Sequence, residues 1–197
     1  MVTKQNKQKV ANTLRIIGGR WRGRKLTVLD SEGLRPTPNR VRETLFNWLQ
    51  YSLSGANCLD LFAGTGALGL EAASRGAEKI TLVEFNIQTA EQLSKNCQEL
   101  GADNYQLINE DAATFLSSDQ EQYDIVFIDP PYKLEMWSEI ARQLVSHDSL
   151  SLNALIYVEY PLAASKPLLP LKWELIKEKK AGGVNYCLFK NTVGQAV

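Results

Sequence analysis

Histidine is almost absent from this chain, with His147 alone among 197 residues. Cysteine is scarce too: Cys58, Cys97 and Cys187 are odd in number and far apart. That excludes a disulfide framework and gives no metal-ligand spacing, so no metal site is expected and a reducing, cytoplasmic setting is. No apolar run approaches the roughly 20 residues of a membrane-spanning helix. The opening stretch MVTKQNKQKVANT has no apolar core and does not read as a secretory signal; residues 1–13 are taken as a disordered leader. His147 follows a helical segment and is assigned no role.

What the chain does have is segregated charge. Net charge is zero, yet residues 1–42 carry eleven Lys or Arg against two acids, a balance of +9, and the remainder carries the opposite excess. Such asymmetry suggests a polyanion-binding arm on an acidic body. Its densest part is RIIGGRWRGRKL, residues 15–26. Arg15, Arg20, Arg22, Arg24 and Lys25 suit phosphate contact, and Trp21 among them suits base stacking, so this segment is expected to bind nucleic acid.

Glycines split the apolar stretches of Ile16–Leu29, which predicts a β-ribbon. After it, Thr37 and Pro38 mark a helix start, and Val41, Leu45, Trp48 and Leu49 form one apolar face. This β-ribbon and helix make a basic extension over 14–52. From residue 53 to 197 a single α/β domain is expected. Strands CLDLFA, KITLVE, YQLINED, YDIVFID and ALIYVEY alternate with helical segments. The tail, WELIKEKKAGGVNYCLFK, reads as an antiparallel hairpin turned at Gly182-Gly183. The pattern predicts a doubly wound mixed sheet.

Two motifs carry the chemistry. In DLFAGTGALG, Gly64, Gly66 and Gly69 spell GxGxxG after the first parallel strand, and Glu84 stands at the end of the next. The glycines let backbone approach a ligand, and the carboxylate can take both hydroxyls of a ribose. A dinucleotide would place pyrophosphate on the helix N-terminus. S-adenosylmethionine has no phosphate and carries cations, so acids suit it. Asp60 is placed to reach its methionine ammonium, and Asp111 to accept from its adenine amino group.

The second motif is DIVFIDPPYK, residues 124–133. Prolines can simply stop a strand. They can also hold acceptors rigidly where open α/β sheets bind ligands. An amine on a base ring is a poor nucleophile because its lone pair is delocalised. The Asp129 side chain and the Pro130 carbonyl can hold its two N–H groups and aim the lone pair at a methyl group. Pro131 stiffens the turn, and Tyr132 can stack on an extruded base.

LRIIGGRWRGRKL, RPTPNRVRETLFNWL and FAGTGALGLEAASRGA, with IDPPY, resemble the bacterial 16S ribosomal RNA guanine-N2 methyltransferases of the RsmD family over nearly the whole chain. The resemblance implies the class I S-adenosylmethionine-dependent methyltransferase fold, S-adenosylmethionine as cofactor, and 16S ribosomal RNA within small-subunit particles as substrate. It also makes Thr37 a cofactor contact. A monomer is expected. Three other readings stand beside it. An adenine-N6 nucleic-acid or protein glutamine methyltransferase shares the Pro-Pro-aromatic turn. A nicotinamide-dependent oxidoreductase explains only the glycine loop and Glu84, and a non-catalytic binding module leaves both motifs without a use.

Overall fold

The computed structural model describes residues 12–29 and 38–192. Thr37 therefore lies outside the described residues, as does most of the expected leader. Strands β1 (Asn12–Arg15) and β2 (Lys25–Val28) pair antiparallel in a separate two-stranded ribbon. Helix α1 (Asn39–Trp48) follows, with Pro38 at its N-cap. Val41, Leu45 and Leu49 are buried as the apolar periodicity requires, but so are Phe46 and Arg42. Trp48 is only half-buried and stacks on Tyr186 with ring centroids 5.4 Å apart.

The main sheet has the order β5-β4-β3-β6-β7-β9-β8. Its strands are β3 (Asn57–Asp60), β4 (Lys79–Val83), β5 (Tyr105–Ile108), β6 (Tyr123–Ile128), β7 (Leu150–Pro161), β8 (Trp173–Ala181) and β9 (Val184–Asn191). The first five run parallel, and β9 pairs antiparallel with β7 and β8. From β3 the chain steps outward to β4 and β5, then returns to β6 on the other side of β3. The strand order reverses between β3 and β6, which is where doubly wound sheets bind ligands.

Helices α2 (Gly69–Ser74), α3 (Ile87–Leu100), α4 (Ala112–Ser118) and α5 (Trp137–Ser146) join the parallel strands. Helix α3 has ordinary caps: the Asn86 side chain accepts from the Thr89 amide, and Gly101 closes it at φ 66°. Alternation along the central strands sends side chains into two cores. Cys58, Ile80, Ile125 and Phe127 face α1, α2, α3 and the ribbon. Leu59, Val83, Val126 and Ile128 face α4 and α5. Leu14, Ile16, Trp21, Leu26 and Val28 of the ribbon belong to the first core.

The ribbon is also clasped by α2. Glu71, fully buried, accepts from the Ile17 amide at 2.7 Å, the Gly18 amide at 2.8 Å and Arg75 Nε at 2.7 Å. Arg42 Nη1, also fully buried, lies 3.8 Å from it. Ser74 adds its carbonyl for the Arg20 amide and its hydroxyl for the Trp21 amide.

Candidate active site

The cofactor half of the site is the turn after β3. Gly64 and Gly66 adopt φ of 53° and 85°, a region that favours glycine. A Cβ on Gly66 would come within 2.5 Å of the Leu70 side chain and 2.7 Å of Leu93. Asp60, 2% exposed, accepts the Gly69 amide at 2.9 Å and so ties β3 to the start of α2. Burial pushes its carboxyl up to about 7, and the Glu84 charge adds to this, while the Gly69 and Phe62 amides oppose it.

Glu84 bridges two backbones. One oxygen accepts the Gly64 amide at 2.9 Å and the other the Asn86 amide at 2.8 Å. Asn109 donates to the carbonyls of Glu84 and Phe85, which fixes the loop after β4. Asp111 does not end β5, as the sequence suggested. The strand stops at Ile108, and Asp111 is the N-cap of α4, accepting from Ala113 and Thr114. Three carboxylates thus stand at or just beyond the ends of β3, β4 and β5, and no Lys or Arg occurs between Asn57 and Ser74. This donor set fits a ligand with hydroxyls and cations. It does not fit a pyrophosphate, because the Gly69 amide at the start of α2 already carries the Asp60 carboxylate.

The second half follows β6, the parallel neighbour of β3. The Leu61 amide donates to the Phe127 carbonyl at 3.3 Å, so the glycine loop and the Asp129–Tyr132 turn leave adjacent strand ends. Asp129 is half-buried and Pro130 buried. A short 3-10 turn, Tyr132–Leu134, follows, with the Leu134 amide bonded to the Pro131 carbonyl. Tyr132 is 41% exposed, yet its hydroxyl points inward and donates to Glu159 Oε1 at 2.9 Å. Tyr157 donates to the other oxygen at 2.6 Å. Both phenols are pushed up by burial, then by the charges of Glu159 and Asp129. Ile128 pairs with Val158 in the parallel register of β6 and β7, so Asp129 and Glu159 follow one residue on in neighbouring strands.

The family model described as Conserved hypothetical protein 95 matches residues 14–190. Ribosomal RNA small subunit methyltransferase D of Escherichia coli is 49% identical over 177 residues, 90% of this chain and 89% of its own length. Its Haemophilus influenzae counterpart is 48% identical over 183 residues, with 90% and 94% covered. The chain belongs to the RsmD family. The solved structure of yhhF from E. coli matches with a TM-score of 0.86 at 45% identity, over 92% of this chain and 99% of that one. An RNA methyltransferase from Salinibacter ruber, solved with S-adenosyl-L-homocysteine, is only 16% identical but shares the fold at a TM-score of 0.62, over 80% of this chain and 94% of its own. The sheet is that of the class I S-adenosylmethionine-dependent methyltransferases.

In this RsmD-family protein the basic ribbon is partly committed to its own body. Trp21 is 7% exposed and packs in the core, so the expected stacking of its ring on RNA is withdrawn. The Arg20 guanidinium lies 4.1 Å over that ring and bonds Asn104 and Asp103. Arg24 donates to the Glu99 carbonyl and Arg15 to the Gly23 carbonyl. Arg22 and Lys25 are exposed, and neither side chain has a recorded hydrogen bond among the described residues.

Sequence reasoning missed three residues here. Glu159 was passed over inside the strand pattern ALIYVEY; an acid in an otherwise apolar run was its signal. Phe85, beside Glu84, is 76% exposed at the cofactor end of the sheet. Asn96 of α3 bonds both the ribbon, at Thr27, and the glycine loop, at the Thr65 carbonyl; nothing in its helical position marked it.

Proposed function

We propose that this protein transfers a methyl group from S-adenosylmethionine to the exocyclic N2 amine of a specific guanine in 16S ribosomal RNA. It is an S-adenosylmethionine-dependent ribosomal RNA methyltransferase. The guanine N2 target, the small-subunit particle as substrate form, the monomeric state and the cytoplasmic setting are the content of the proposal. The observation that carries it is the pairing of β3 with β6 at the reversal of strand order, which brings the glycine loop beside the Asp129–Tyr132 turn.

When bound, the cofactor supplies an electrophilic methyl group on a sulfonium. The chain's own residues do the rest. Glu84 takes the ribose hydroxyls, Asp60 faces the methionine ammonium, and Asp111 accepts from the adenine amine. Thr37 is kept as a contact to the methionine end on the family resemblance alone. Asp129 and the Pro130 carbonyl hold the two N–H groups of the target amine. That turns its lone pair out of conjugation and towards the methyl carbon, so catalysis is mainly positioning. Tyr132 flanks the extruded base, and Arg15, Arg20, Arg22, Arg24 and Lys25 give the ribbon its attraction for the RNA backbone.

Tritiated S-adenosylmethionine and small-subunit particles lacking the modification supply the test. After digestion, label in N2-methylguanosine supports the reading. Label in N6-methyladenosine, or in protein, moves the chain to the other amino-methyltransferase classes.

A further inference from the structure

Glu159 has no use in the mechanism above, yet it is 2% exposed and sits beside the amine-holding turn. Among the described residues no lysine, arginine or histidine forms an ion pair with it. Its oxygens are instead met by hydroxyls: Tyr132 on Oε1 at 2.9 Å and Tyr157 on Oε2 at 2.6 Å. The Trp137 indole donates to its backbone carbonyl at 2.6 Å and holds the strand in place. Burying a carboxylate without a cation is costly, and here it raises the carboxyl's pKa against the pull of the two phenols. Buried acceptors of this kind concentrate at functional sites.

The two phenols are not equivalent. Tyr157 is fully buried, and its ring packs edge-on against Phe127 at 6.4 Å, so it is a fixed anchor. Tyr132 belongs to an exposed three-residue turn, and its ring, 6.5 Å from that of Trp137, is 41% exposed. Its hydroxyl is a neutral donor placed on a carboxylate next to Asp129. On guanine, the group next to the N2 amine is N1–H, also a neutral donor. On adenine the ring nitrogen beside the exocyclic amine is an acceptor.

We propose that Glu159 is the guanine-reading residue of the site: its Oε1 accepts from guanine N1–H while Asp129 and the Pro130 carbonyl hold N2, and the Tyr132 hydroxyl occupies that position until the base enters. The inference rests on the reading of the Asp129–Tyr132 turn as the amine-holding site. No proton is transferred to Glu159; one hydrogen bond replaces another. A purine with an N2 amine but an unprotonated N1 would set acceptor against acceptor at a buried carboxylate. Sites built around such a bond reject the mismatched base strongly.

The test uses small-subunit particles reconstituted with guanine or 2,6-diaminopurine at the methylated position. Diaminopurine keeps the N2 amine and lacks N1–H. Wild-type enzyme should prefer guanine by about 10,000-fold in kcat/KM, the range expected when a buried acceptor loses its donor. Glu159→Gln should cut the preference below about tenfold, because its amide can donate to the unprotonated N1. Tyr132→Phe removes the competing hydroxyl but leaves the carboxylate, so guanine preference should persist. Cofactor affinity should be unchanged in both variants. Equal rates on the two bases with wild-type enzyme would overturn the proposal, as would an undiminished preference in a folded Glu159→Gln. Loss of preference in Tyr132→Phe would assign the reading to the hydroxyl and also overturn it. If guanine itself is not methylated by wild-type enzyme, the underlying reading of the site fails instead.

Discussion

Two buried glutamates divide the molecule's charge chemistry between them. Glu71, on α2, is met by Arg75, by Arg42 and by two backbone amides of the ribbon. Glu159, on β7, is met by two phenols and, among the described residues, no cation. The first pattern meets a carboxylate with cations and amides and joins two parts of the chain, although Arg42 Nε and Nη1 make no hydrogen bond among the described residues. The second leaves a carboxylate under-compensated beside the Asp129–Tyr132 turn. The contrast separates a clasp from a binding group: a structural acid is surrounded by fixed donors, whereas a reading acid keeps a donor that can be exchanged.

Breaking the clasp should have the largest effect. Glu71→Ala leaves the Arg42 guanidinium buried with its charge uncompensated and strips the Ile17 and Gly18 amides of their acceptor. The loss should be about 3–5 kcal/mol, the scale for removing one partner of a buried ion pair, visible as an early denaturant midpoint. A midpoint near wild type would mean that apolar packing alone holds the ribbon.

Asp60 offers an intermediate case, a buried acid facing the proposed cofactor ammonium. Its folded pKa of about 7 lies above the ordinary 3.8. Folding therefore favours the protonated form. The stability it contributes is complete below 3.8 and is lost as pH rises through 7. A cationic ligand favours the ionised form, so its binding should release a proton. Cofactor affinity should then rise by at most about tenfold per pH unit below 7 and level off above it. Asp60→Asn should flatten that dependence in calorimetric titrations. An equally steep rise in the variant would remove Asp60 from the ammonium site.

The ribbon should respond more modestly. Among the described residues, the side chains of Arg22 and Lys25 make no bond to the body. If both touch phosphates, replacing them with Ala should flatten the slope of log K against log salt by roughly 1.4 units, at about 0.7 per contact. Identical slopes for the variant and wild type would place RNA recognition elsewhere. The smallest effect is expected at Glu159 itself. Glu159→Gln strands no cation, so it should unfold no earlier than wild type; a clear loss of stability would make it a second clasp and erase the contrast with Glu71.

The sheet was largely legible because β3, β4 and β6 are apolar runs buried on both faces, and Gly182-Gly183 marked a real turn. Helix α4 was not. AATFLSS is short and half polar, and its one clear signal, Asp111, reads equally well as the end of a strand. The site divided in the same way. Glycine and proline spell local backbone geometry, so the two motifs could be read directly. Trp21 could not be placed, since tryptophan among arginines is the same string whether the ring faces solvent or core; Ser74 and the first core, distant in sequence, decide it. Glu159 depends likewise on a hydroxyl 27 residues away.

The central claim is that the glycine loop and the Asp129–Tyr132 turn form one catalytic site with separable duties. Asp129→Ala tests it most directly, with methyl transfer to small-subunit particles and S-adenosylmethionine affinity measured on the same preparation. Methyl transfer should fall by about 100-fold or more, the cost of a misplaced reacting group, while cofactor affinity stays at the wild-type value. Turnover near wild type would reduce the turn to a strand terminator and contradict the mechanism.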